Sequence, residues 1–122
     1  MEAGDPIAAI RSFIGYWSGV LRDSDYAAGC PVLAAALSPD QAPGAQEVAG
    51  AALADWQRLL TAGLQRAGAA EGRARSLAAL TIAAVEGAIV MTRAQRSLAP
   101  LEQVGRELEA LAVQMLTRTR PV

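Results

Sequence analysis

The sequence predicts an all-α fold, a five-helix orthogonal/antiparallel bundle, and three observations carry that prediction. Ala and Leu dominate an apolar fraction of 52%, and β-branched residues are sparse outside one segment, a pool that favours helix over strand. Apolar residues recur at three- and four-residue spacing in successive stretches, the period of a one-faced helix. Between those stretches Pro, Gly and small polar residues cluster, where turns form. At 122 residues the chain reads as one domain, 1–122, able to bury about two-thirds of its unfolded surface. A mean hydropathy of +0.23 argues against disorder.

Asp5-Pro6 opens the first helix, 6–22, with a carboxylate N-cap and a proline where the missing amide hydrogen costs nothing. Ile7, Ile10, Ile14, Trp17 and Leu21 form its apolar face, widened by Phe13 and Val20, and it fades into the polar cluster after Arg22. Gly29 is expected to take a left-handed turn, with Cys30 just ahead of Pro31 at the start of a short second helix, 31–37. The stretch SPDQAPG, 38–44, breaks it. The third helix, 46–67, places Val48, Ala52, Trp56, Leu59, Leu60, Gly63 and Leu64 on one side and Asp55, Arg58, Gln65 and Arg66 on the other, with Gly68 as terminator. The fourth, 72–94, is apolar nearly all round over 77–92. Such a helix needs neighbours on most sides, so it is either central or covered by a second subunit. The fifth, 100–117, follows Ser97 as cap and carries Pro100 in its first turn. Its seam is Leu101, Val104, Leu108, Leu111 and Met115, and TRTRPV is expected to fray after it.

Several function classes are excluded by what the chain lacks. A net charge of -1 gives no cationic surface for non-specific nucleic-acid binding, and all eleven basic residues are Arg. Without His there is no imidazole acid–base chemistry and no His-ligated zinc. The lone Cys30 excludes an intramolecular disulfide. Gly-rich phosphate loops, paired CxxC motifs and metal-ligand clusters are absent, so no enzyme activity, no cofactor and no metal are expected. The N-terminus has no signal-peptide pattern. The run 77–92 is short, Ala-rich, bounded by arginines and interrupted by Glu86, so a cytoplasmic protein with no membrane partner is expected.

Glu86 is the residue most in need of explanation. A carboxylate inside a buried helix must be paired, hydrogen-bonded, protonated or near water, and Ile82, Ala83, Ile89 and Val90 around it offer no partner. A structural hydrogen bond to another helix, a polar anchor in an apolar ligand pocket and a catalytic acid are the three readings. Gly87 weakens the helix by about 1 kcal/mol relative to Ala, which close approach of another backbone offsets, either within the chain or from a second copy. Cys30 at a helix start is either a small buried hydrophobe or a thiol sensor. Trp17, Trp56 and Phe13 either fill the core or wall a pocket.

The succession DYAAGCPVLAAALS, ALADWQRLLTAGLQRAG and AALTIAAVEGAIVMTRAQRSLAPLEQVGREL resembles the C-terminal domain of TetR-family transcriptional regulators, in the LmrA/YxaF-like branch. The resemblance rests on Gly29-Cys30-Pro31, Trp56, Glu86-Gly87-Ala88, Arg93, Arg96-Ser97 and Pro100-Leu101 in that order, and it spans about residues 6 to 115. It implies a ligand-binding and dimerisation domain of a repressor that senses a hydrophobic small molecule. The ligand set expected on it is Phe13, Trp17, Leu33, Trp56, Leu60, Glu86 and Met91. It also implies a homodimer through the last two helices, with Gly87, Val90, Ala94, Leu101, Val104, Leu108, Leu111 and Met115 at the interface. The family's helix-turn-helix has no counterpart in this stretch, so no DNA binding by this chain alone is expected. The alternative is a ligand-free structural dimerisation module, or a heterodimer partner of a full-length regulator.

Overall fold

The computed structural model describes residues 5–37 and 43–119, and the expected breaks at 38–42 and 120–122 lie outside the described residues. Five helices follow in order: α1 (Pro6–Asp23), α2 (Pro31–Leu37), α3 (Ala45–Arg66), α4 (Glu71–Gln95) and α5 (Ala99–Thr119). No strand occurs among the described residues, so the all-α five-helix fold is as the composition and periodicity indicate. α5 runs through Thr117 to Thr119, longer than the expected fraying allowed.

α4 is the central element, packed against α3, α5 and, more lightly, α1; α1 leans mainly on α5, and α2 on α3. The core forms in two parts. Leu21, Val85, Ala88, Ile89, Leu101 and Leu108 join α1, α4 and α5. Leu64, Ala69, Ala74, Leu77, Ala78 and Met115 join α3, α4 and α5 at the other end.

Local chemistry sets the helix ends. Asp5 Oδ1 accepts the amides of Ile7 and Ala8, each at 3.1 Å, and Pro6 begins α1. Ser97 Oγ accepts the Ala99 amide at 3.1 Å ahead of α5. α1, α3 and α4 end alike: the amides of Tyr26, Ala69 and Ser97 reach back to the carbonyls of Leu21, Leu64 and Thr92, the six-to-one bond of a Schellman ending. The left-handed residue is Gly68 after α3, as expected, but Asp25 after α1 and Arg96 after α4. Gly29 is therefore corrected: its φ is not positive, because the chain has already turned at Asp25 and Tyr26 (φ 55 and 62). A Cβ on Gly29 would meet Arg93 Nη1, so a side chain there would displace that guanidinium.

Within one subunit α4 is covered on one flank only. Val85, Ala88, Ile89 and Thr92 are buried, whereas Leu80, Ala83, Gly87, Val90, Met91 and Ala94 are exposed. Those exposed positions recur every three or four residues, so they form one continuous apolar stripe. By length and composition α4 is the one helix among the described residues that could cross a membrane. Here its opposite side carries the core of the bundle.

Candidate functional site

Because α1 leans on α5 while α3 packs on α4, the two helices flank a cleft of about 770 Å³ floored by α4. α1 contributes Ile10, Phe13, Ile14 and Trp17; α3 contributes Trp56, Leu60 and Leu64; α4 contributes Leu77, Thr81, Ile82, Val85 and Glu86. Asp5, Tyr16 and Arg66 also line it, and Tyr16 meets Trp17 edge-on at 5.7 Å between ring centroids.

Of the seven residues expected on the ligand set, the structure brings five together here: Phe13, Trp17, Trp56, Leu60 and Glu86. Leu33 is half-buried on α2 and lies off the cleft. Met91 is half-exposed and sits on the outer flank of α4. Five residues beyond Glu86, it is turned by about 140° around the helix, away from the cleft floor. Sequence reasoning missed the floor itself. Leu77, Thr81 and Val85 recur at helical spacing, but in a helix apolar nearly all round that spacing does not single out a face.

Glu86 Oε2 is buried and has no hydrogen-bond partner, and no ion pair among the described residues involves it. Its neighbour is Cys30, which is buried at the start of α2. Burial is the main reason the Cys30 thiol is raised above its ordinary value, the Leu33 and Val32 amides oppose that, and hydrogen bonding to and the charge of Glu86 add to it. A thiol held protonated is a poor nucleophile, a setting that fits the buried-hydrophobe reading of Cys30. The contact between Cys30 and Glu86 joins residues far apart in sequence, and no spacing rule signals it.

Two arginines that carried the resemblance meet the segment between α1 and α2. Arg93 lies against Gly29. Arg96 Nη2 donates to Asp25 Oδ1 at 2.6 Å and Nη1 to the Asp25 carbonyl at 3.1 Å, with its guanidinium 5.4 Å from the Tyr26 ring centroid.

The residues expected at a dimer interface divide. Gly87, Val90 and Ala94 are exposed on α4, and Val104 and Leu111 are half-buried on α5. Val104 and Leu111 line a shallow groove of about 270 Å³ with Leu80 and Ala84. Leu101, Leu108 and Met115 are 0%, 2% and 2% exposed within the subunit. They serve the subunit's own core, because that half of the α5 seam faces α1, α3 and α4.

The comparisons with known proteins agree with this architecture. The family described as transcriptional regulator LmrA/YxaF-like, C-terminal domain, matches residues 6–107. Two relatives are each named as an uncharacterized HTH-type transcriptional regulator of Mycobacterium tuberculosis, one from strain CDC 1551 / Oshkosh and one from strain ATCC 25618 / H37Rv. Each is 30% identical over 116 residues, covering 90% of this chain, and the chain spans 60% of the length of each. No solved structure matches the chain significantly. With the family matched over most of its length, this chain belongs to the LmrA/YxaF-like C-terminal domain family of TetR-type transcriptional regulators, proteins of gene control and not enzymes.

Proposed function

We propose that this region binds a hydrophobic small-molecule effector in the cleft, pairs with a second copy through α4 and α5, and so forms the sensing and dimerising part of a TetR-like repressor. The observation that carries the reading is the 770 Å³ cleft with aromatic and aliphatic walls, a size and lining typical of small-molecule sites. α4 is the transmitting element. One side of it floors the cleft, and the other carries the exposed stripe from Leu80 to Ala94. A ligand that seats better against one placement of α4 shifts the population toward it, and a mate packed on the stripe feels that shift. The leverage is limited to the ligand's differential affinity for the two arrangements. This region alone is expected to bind no operator, since its net charge of -1 argues against the cationic surface that DNA binding needs; an electrophoretic mobility shift with excess competitor DNA tests that.

The chain's two tryptophans, Trp17 and Trp56, both line the cleft, so indole fluorescence reports its occupancy. In a thermal-shift screen, a compound that binds only the native state at 100 times its Kd adds about 2.7 kcal/mol of stability. Lipophilic compounds that raise the midpoint are expected to change the indole emission as well. Silence in both readouts across a broad lipophilic library would favour the structural dimerisation module or the heterodimer partner instead.

A further inference from the structure

We infer that the effector taken by this cleft is a lipophilic cation whose positive charge is received by Glu86. The inference rests on the effector reading above and names its ligand class.

The cleft has aromatic and aliphatic walls, yet it carries a carboxylate oxygen that is buried and unpaired. Leaving such a group without a partner is unfavourable. No arginine among the described residues forms an ion pair with it. Arg93, two turns along α4 on the same side, lies against Gly29. Arg96 is held by Asp25, Arg11 by Glu109, Arg58 by Asp55 and Arg75 by Glu71. The group that does touch Glu86, the Cys30 thiol, is kept protonated and brings no positive charge. Asp5, Arg66 and Glu86 are the charged residues of the lining, two carboxylates against one guanidinium, so its net charge is -1.

Three ligand chemistries meet this site differently. An anion with an apolar body is repelled by the lining and leaves Glu86 Oε2 unpaired. A neutral apolar molecule fills the volume and leaves the carboxylate uncompensated. A cation with a bulky apolar body gains an ion pair in a poorly solvated place, where Coulomb attraction is stronger than in water. The indole and phenyl rings of Trp17, Trp56 and Phe13 around the same volume add cation–π attraction. Discrimination against the anion is then built into the site as a repulsion, not only as a missing attraction.

The test uses probes matched in size and shape but opposite in charge. Tetraphenylphosphonium and tetraphenylborate are titrated into the protein with indole fluorescence as the readout, alongside the neutral dye Nile red. The phosphonium is expected to bind at least about tenfold tighter than the borate, one decade being about 1.4 kcal/mol. In Glu86→Gln, with its helical circular dichroism checked, that ratio is expected to fall to within about threefold of one, while Glu86→Asp retains part of it. The wild-type ratio alone is decisive if Glu86→Gln does not fold. Equal or inverted affinities in the wild type, or a ratio that Glu86→Gln leaves unchanged, overturn the cation assignment. If Nile red still perturbs the indoles in that case, the effector cleft survives and only the ligand class is wrong. If none of the three probes perturbs them, both readings fall together.

Discussion

Thr92 lies wholly buried on α4 and its Oγ1 meets no hydrogen-bond partner, whereas Thr81 on the same helix donates its hydroxyl to the Leu77 carbonyl at 2.7 Å. An unpaired buried hydroxyl destabilises by about 1–3 kcal/mol relative to an apolar group of the same shape. Thr92→Val is therefore expected to raise the unfolding free energy by about 1 kcal/mol in urea melts; a loss of stability would reveal a partner for that oxygen. Cys30 makes a second prediction at this scale. Its folded pKa lies above the ordinary 9.0, so above that pH the native state keeps a proton that the unfolded chain has released. Stability from this group is present below pH 9.0 and is lost as pH rises from there through the folded pKa. Denaturation midpoints should fall on the alkaline side, and Cys30→Ala should flatten that decline.

At the scale of elements, two of the three helix endings place a non-glycine residue in the left-handed region, Asp25 at φ 55 and Arg96 at φ 53. The Arg96 side chain binds Asp25, so the end of α4 is fastened to the end of α1. Both groups are well exposed, so the ion pair itself contributes little; its effect is to fix where the two helices stop. α1 and α5 are joined by Arg11 Nε donating to Glu109 Oε1 at 2.5 Å, and they also meet at Gly105. There a Cβ would stand 3.0 Å from Ile14 Cγ1. Gly105→Val adds a branched side chain where the neighbour has little room, and a loss of about 1–3 kcal/mol is expected. Equilibrium denaturation of Gly105→Val beside Ile14→Ala, Gly105→Val checks the cause, since the space made by the second change should recover part of the first loss. Gly87, which the sequence marks as the close-approach glycine, has nothing within 4 Å of its built Cβ. Within one subunit no backbone needs it.

The whole molecule exposes 7553 Å², above the roughly 6,200 Å² expected for a compact monomer of its mass. An open cleft lies on one side of α4 and an exposed apolar stripe on the other. A second copy on the stripe would bury Leu80, Gly87 and Val90, and a stable pair needs about 800 Å² from each partner. Gly87→Arg is expected to leave the helix content unchanged, because the site is open within the subunit, and to convert the proposed dimer to monomer. Sedimentation velocity at micromolar concentration checks it. A wild-type monomer, or a variant that still pairs, would remove α4 from the proposed interface.

How much of this was legible in the sequence depended on whether the signal was local. The Asp5-Pro6 cap, the Gly68 terminator, the α1 stripe from Ile10 to Trp17 and the five helices are properties of short windows, where propensity and periodicity act. Glu86 was also conspicuous, because one carboxylate in an apolar helix stands out wherever the helix is placed. The face of each helix was harder to read. α4 is apolar nearly all round, so only packing decided that Leu77, Thr81 and Val85 floor the cleft while Met91 and Val90 lie outside. Likewise the α5 seam is uniform in sequence, and only the tertiary fold turned Leu101, Leu108 and Met115 into its own core. The sequence by itself determined the helices, the Asp5-Pro6 and Gly68 boundaries and the family. The tertiary structure decided which side of each helix is cleft, core or open surface, and it alone brought Cys30 to Glu86 and Asp25 to Arg96. The physical reason is that helix formation is governed by neighbours within a turn or two, whereas burial and charge pairing depend on residues that only packing brings together.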